Sequence, residues 1–168
     1  MDEFENIEDH FARYARQLME DPSARFGALR NCSFFEPMPD DWLQRMSEFA
    51  QIKTFHSDVS VTSQDDEMKS FYVILYGSAE AYRNGKLVGT IDTGDCFGEG
   101  IFFADGIITT SATVIAEDKF IAAEFSKTVV EKMHSDPHAM VSMNKALLLA
   151  LFKKLKAANQ KIERLMLM

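Results

Sequence analysis

From residue 52 to residue 124 the apolar and β-branched side chains come in short runs cut by Gly, Asp and Asn, too brief and too unevenly spaced for helices. That stretch can bury its runs only as a set of short antiparallel strands, predicted at 52–55, 59–62, 70–75, 78–82, 87–91, 111–116 and 119–124. Asn84-Gly85 is the strongest turn in the chain, because both residues tolerate the positive φ of a two-residue hairpin. It joins the strand of Tyr82 to the strand of Val88. With no long, flat strand left at an edge, a closed or two-sheet jelly roll is the expected arrangement.

Helical spacing takes over on both sides. Phe4, Ile7, Phe11, Tyr14 and Leu18 advance by threes and fours, which predicts an amphipathic helix over 2–19, ended at Asp21-Pro22. A short segment at 24–29 and a helix opened by Pro39, Asp40 and Asp41 follow, the latter with Trp42, Leu43, Met46 and Phe49 on its inner side. Beyond Ser126, read as an N-cap, a short helix reaches His134 and is stopped at Asp136-Pro137. The last helix carries Val141, Leu148, Leu151, Leu155, Ala158, Ile162 and Leu165 in a heptad seam with Asn144 as a polar member. Such a seam suits a two-stranded homodimer; packing on the chain's own β-domain is the alternative. The domain plan is a helical segment at 1–27, a β-roll at 28–136 and a dimerisation helix at 137–168, which makes the fold class α+β.

Composition removes several functional classes. The formal charge of −8 opposes direct contact with nucleic acid, which depends on clustered Lys and Arg. Two cysteines, Cys32 and Cys96, form neither a CxxC pair nor a disulfide framework, and the acidic start resembles no secretory signal. No stretch has the length and apolarity of a membrane span, so a cytoplasmic protein is expected. The four histidines do not supply the closely spaced ligands that a metal-dependent enzyme on a β-roll would need, and neither GxSxG, P-loop nor HExxH occurs. A non-catalytic protein with no metal and no cofactor is the expectation.

The run Gly89-Thr90-Ile91-Asp92-Thr93-Gly94-Asp95-Cys96-Phe97-Gly98-Glu99 resembles the stretch leading into the phosphate-binding cassette of cyclic nucleotide-binding domains, as in catabolite activators and the regulatory subunits of cyclic-AMP-dependent protein kinase. Residues 71–79 resemble that family's strand-turn-strand element, 112–116 its closing strand, and 154–165 the dimer helix of catabolite-activator relatives. The resemblance runs from about residue 28 to the end. It implies a sensor whose ligand is cAMP or cGMP, with Glu99 accepting the ribose 2′-hydroxyl and Asn159 beside the base. Gly98 and Gly100 lack a Cβ, so their backbone can come close to a phosphate; an ordinary tight turn is the other reading.

One departure stands out. Where the family places an Arg against the cyclic phosphate, this chain has Thr110, and residues 88–117 contain neither Arg nor Lys. A guanidinium to phosphate contact contributes about 1.5–3 kcal/mol, so its absence predicts affinity weaker by about ten- to several-hundred-fold. The hydroxyls of Thr109, Thr110 and Ser111 can donate hydrogen bonds without charge, and Ile101 begins an unusually apolar loop. The candidate ligand-binding residues are thus Gly98, Glu99, Gly100, Ile101, Thr109, Thr110, Ser111 and Asn159. With the sequence ending at Met168, no helix-turn-helix is expected after the last helix, and any transcriptional role would be indirect. Two readings remain: a sensor that signals to an unidentified protein partner through its C-terminal helix, or a dimeric scaffold with a vestigial pocket.

Overall fold

The structure is a computed structural model that describes residues 3–103 and 106–168, with the side chains of residues 3–9 outside the description. The side chains of Phe4 and Ile7 in the predicted first stripe, and the whole of Ala104 and Asp105 in the loop after the cassette, therefore lie outside the description.

Among the described residues eight strands form two four-stranded antiparallel sheets, with β1 (Gln51–Phe55), β8 (Phe120–Ser126), β3 (Ser70–Tyr76) and β6 (Cys96–Phe97) in one. The second holds β2 (Ser60–Thr62), β7 (Thr113–Ala116), β4 (Ala79–Arg83) and β5 (Lys86–Ile91). This is the expected jelly roll. Seven strands fall where the runs predict them; β6 escapes the sequence reading because two residues carry no periodicity. The Asn84-Gly85 hairpin forms as expected, with φ of 51° and 73° and with Arg83 paired to Lys86 around it.

The first sheet is buried on both faces. Ile74, Phe97, Phe120 and Ala122 point between the sheets, where they meet Ala79, Ile91, Val114 and Ala116 of the second. Phe71, Val73, Leu75, Ile121, Ala123 and Phe125 point the other way, into a core shared with the helices. Two-sided burial explains why β3 and β8 read as nearly continuous apolar runs rather than as alternating ones.

Helices α1 (Glu3–Glu20), α2 (Pro22–Arg30), α3 (Asp40–Phe49), α4 (Lys127–His134) and α5 (Pro137–Met166) supply the second wall of that core. Phe11, Leu18, Leu29, Leu43, Met46 and Leu147 all join it, so side chains from every part of the chain are packed together. Asp21 caps α2 by accepting from the Ser23 amide at 2.9 Å, and Asp136 caps α5 by accepting from His138 and Ala139. Ser126 precedes α4 but makes no side-chain cap. Phe49, expected on the inner side of α3, is instead exposed and lies under the Lys132 ammonium, 5.1 Å from its ring centre. The reason is its position in the last turn, where α3 already leads out to β1.

Candidate functional site

The cassette begins at β6, the short strand paired to β3 through Tyr72↔Phe97 and Val73↔Cys96. Tyr72 and Phe97 stack with ring centres 4.8 Å apart, fixing the strand from its inner side. Gly98 then turns the chain at φ 76°, and a Cβ there would lie 2.5 Å from the Ser70 carbonyl oxygen. No larger residue fits, because both the left-handed backbone and the neighbouring strand forbid it. The requirement is thus set by packing against β3. A single 3-10 turn, Glu99–Phe102, follows, and it buries Ile101 and Phe102 in the helical core.

That turn presents Glu99 to a cavity of about 330 Å³ lying between the second sheet, the cassette and α5. Gly98, Glu99, Thr110 and Ser111 line it, together with Thr90 and Ile91 from β5. Of the remaining candidates, Ile101 is a core residue, Thr109 is exposed and bridged to Glu67, and Gly100 packs near Met68 and Ile108. Asn159 is exposed and lies outside the lining, although its neighbour Ala158 is part of it. The structure therefore gathers four of the eight candidate residues around one hollow.

Thr110 is buried, and its hydroxyl donates to the Ser63 carbonyl. Its amide donates to the Asp66 carbonyl at 2.8 Å and its own carbonyl accepts from the Asp65 amide at 2.9 Å. The side chain's one proton is thus spent within the fold, and the oxygen is left as an acceptor.

Positive charge enters the cavity from an unexpected direction. Lys154 and Lys161, with Ala157 and Ala158 between them, extend one face of α5 over the hollow at steps of three and four residues. The same face roots the helix further back through Met143, Leu147 and Ala150, which belong to or pack on the core. Lys154 Nζ donates to Glu99 Oε1 at 2.5 Å and to the Cys96 carbonyl at 2.9 Å. Lys161 Nζ donates to the Leu87 carbonyl at 3.2 Å. On the other flank of the helix, Lys153 meets Asp95 at 2.7 Å beside a second cavity of about 300 Å³. By composition these lysines look like an ordinary solvated helix face; the signal that would have picked out two of them is the buried period 143, 147, 150 carried forward to 154 and 161.

The two thiols lie buried beneath this charge network. Burial pushes Cys96 up to about 12 against the lowering pull of the Lys154 ammonium, and burial with the nearby Asp95 carboxylate does the same for Cys32, so neither is a thiolate at neutral pH. Among the described residues no cluster of His, Cys, Asp or Glu could hold a metal ion, and no helix is long and apolar enough to cross a membrane.

Comparison with known proteins supplies the family. Residues 52–136 match the model of the cyclic nucleotide-binding domain, and the chain belongs to that family. It is similar to the cAMP-dependent protein kinase regulatory subunit of Schizosaccharomyces pombe, with 29% identity over 110 residues that make up 60% of this chain and 26% of that protein. Human cGMP-dependent protein kinase 2 is 24% identical over 100 residues, 56% of this chain and 13% of the kinase. The chain thus spans a small part of the curated relatives it matches. Among solved structures, cAMP-bound PfPKA-R superposes with a TM-score of 0.70 at 14% identity, covering 86% of this chain and 48% of that one; the likeness is one of fold. The ligands of this family are cyclic nucleotides rather than cofactors.

Proposed function

We propose that the chain is a regulatory module, without catalysis of its own, that binds cAMP or cGMP weakly in the α5-covered cavity and passes the event on through that helix. The observation that carries the reading is the convergence of Gly98, Glu99, Thr110 and Ser111 on one hollow closed by α5. In this reading Glu99 accepts from the ribose, and the affinity is low because Thr110 stands where a guanidinium would pair with the phosphate.

The module acts as a homodimer through α5, in the cytoplasm, and hands its signal to a protein partner. Val141, Leu148, Phe152, Leu155 and Ile162 are all exposed at steps that keep them on one side of α5. Asn159 falls in the same stripe, where a polar residue can fix pairing register at some cost in stability. Relative to the seam expected from sequence, the stripe exchanges Leu151 and Ala158 for Phe152 and Asn159, since Ala158 is turned to the cavity.

Thermal denaturation with cAMP or cGMP tests the proposal, because a ligand bound only by the folded state raises the melting temperature by mass action. A rise that saturates by millimolar nucleotide is expected. No rise with either nucleotide would replace the sensor with the scaffold.

A further inference from the structure

We propose that Lys154, carried by α5, is the cation that admits a nucleotide's phosphate to this cavity, with Lys161 as its second. The inference rests on the nucleotide-binding reading and gives it a charge mechanism. Among the described residues, the charged side chains lining the hollow are Glu99, Lys154 and Lys161. An anionic phosphodiester entering beside Gly98 would meet the Glu99 carboxylate first, and like charges at that distance repel strongly in a partly desolvated site. Lys154 cancels that carboxylate and, with Lys161, leaves the lining one positive charge in excess.

The placement of Lys154 follows from how α5 is rooted. Met143 and Leu147 are locked in the core, so the residues one and two turns further along the same face must lie over the cassette. Ala157 and Ala158 are small enough to keep that face close to the roll, and the long stems of Lys154 and Lys161 reach inward on either side of them. Lys154 contacts Glu99 and the Cys96 carbonyl together, so its ammonium already sits at the mouth of the cassette. The pairing can be exchanged from the lysine side, since Lys154 keeps 42% exposure while the Glu99 side chain keeps only 16%. A bound phosphate can therefore share Lys154 with Glu99, and because the lysine belongs to α5, occupancy changes how the helix is held.

The test is a calorimetric titration of the 168-residue chain with cAMP and with cGMP, in wild type and in Lys154→Gln, Lys154→Arg and Lys153→Gln. Lys153 serves as the control because it is the adjacent helix lysine and pairs with Asp95 outside this cavity. Lys154→Gln is expected to weaken binding at least ~10-fold, with Lys154→Arg within ~3-fold and Lys153→Gln within ~2-fold of wild type. The salt dependence of affinity should also flatten in Lys154→Gln alone. Unchanged or tighter binding by Lys154→Gln would overturn the proposal while leaving the sensor intact, as would equal weakening by Lys153→Gln, which would point to general loosening of α5. Wild type that fails to bind either nucleotide would overturn the sensor reading and this inference together.

Discussion

Over residues 139–150, α5 is held by apolar contact, with Ala139, Met143, Ala146 and Leu147 essentially without exposure. From Phe152 onward the same helix lies on the roll through Lys153, Lys154 and Lys161, while Phe152, Leu155, Ile162 and Leu165 face outward. The first half is fixed by burial, which is worth about 1.5–3 kcal/mol for each large side chain. The second is fixed by polar contacts of half-exposed lysines, a class of contact that contributes about 1 kcal/mol apiece. One helix therefore combines an anchor with a more lightly held arm, a division that the proposed signalling through α5 would use.

The largest effect should come from breaking the anchor. Leu147→Ala removes a fully buried side chain and is expected to cost about 2–5 kcal/mol, read as a lower midpoint in denaturant. A loss below 1 kcal/mol would mean that both halves are held equally loosely. Charging the arm is expected to act on association rather than on folding. Leu155→Glu with Ile162→Glu should weaken the proposed dimer at least ~100-fold by sedimentation while circular dichroism keeps the folded signal. Shortening the chain at Lys145 would be a poor substitute, because it would delete Ala146 and Leu147 from the core along with the stripe.

The smallest effect at neutral pH is one that grows only in alkali. Cys32 and Cys96 keep their protons in the folded protein up to about 12, whereas the unfolded chain releases them in the ordinary thiol range near 9. Between those limits the native state binds more protons than the unfolded state, so stability is fully present below about pH 9 and falls as pH rises toward 12. Thermal midpoints measured from pH 8 to 11 should decline over the upper part of that range, and less steeply in Cys32→Ser. A flat profile would show that these thiols are reached by water in the native state.

Much of the fold was legible in the chain because the determining signals are local. Asn84-Gly85, the Asp136-Pro137 stop and the runs of β3 and β8 each specify structure within a few residues. The site was less so. The cassette could be placed from Gly98 and Glu99, and Thr110 and Ser111 from the start of the closing strand, but the cavity's positive charge arrives from residues more than fifty positions away. Nothing in Lys154 itself separates a lysine over a pocket from one in water. Only the angular position of α5, set by Met143 and Leu147, makes that distinction. Asn159 missed the cavity for the same reason, since a rotation of one residue around the helix exchanges the roll-facing and outward faces.

The hold of Lys161 on the Leu87 carbonyl bears on an edge of the β-roll. Strand β5 ends the second sheet, and it carries Leu87 and Val88 with nearly half their surface in water. A lysine ammonium set on those outward carbonyls blunts the margin against pairing with a strand of another molecule. Lys161 therefore guards main-chain acceptors flanked by aliphatic groups, where the sheet would otherwise stay open to a further strand.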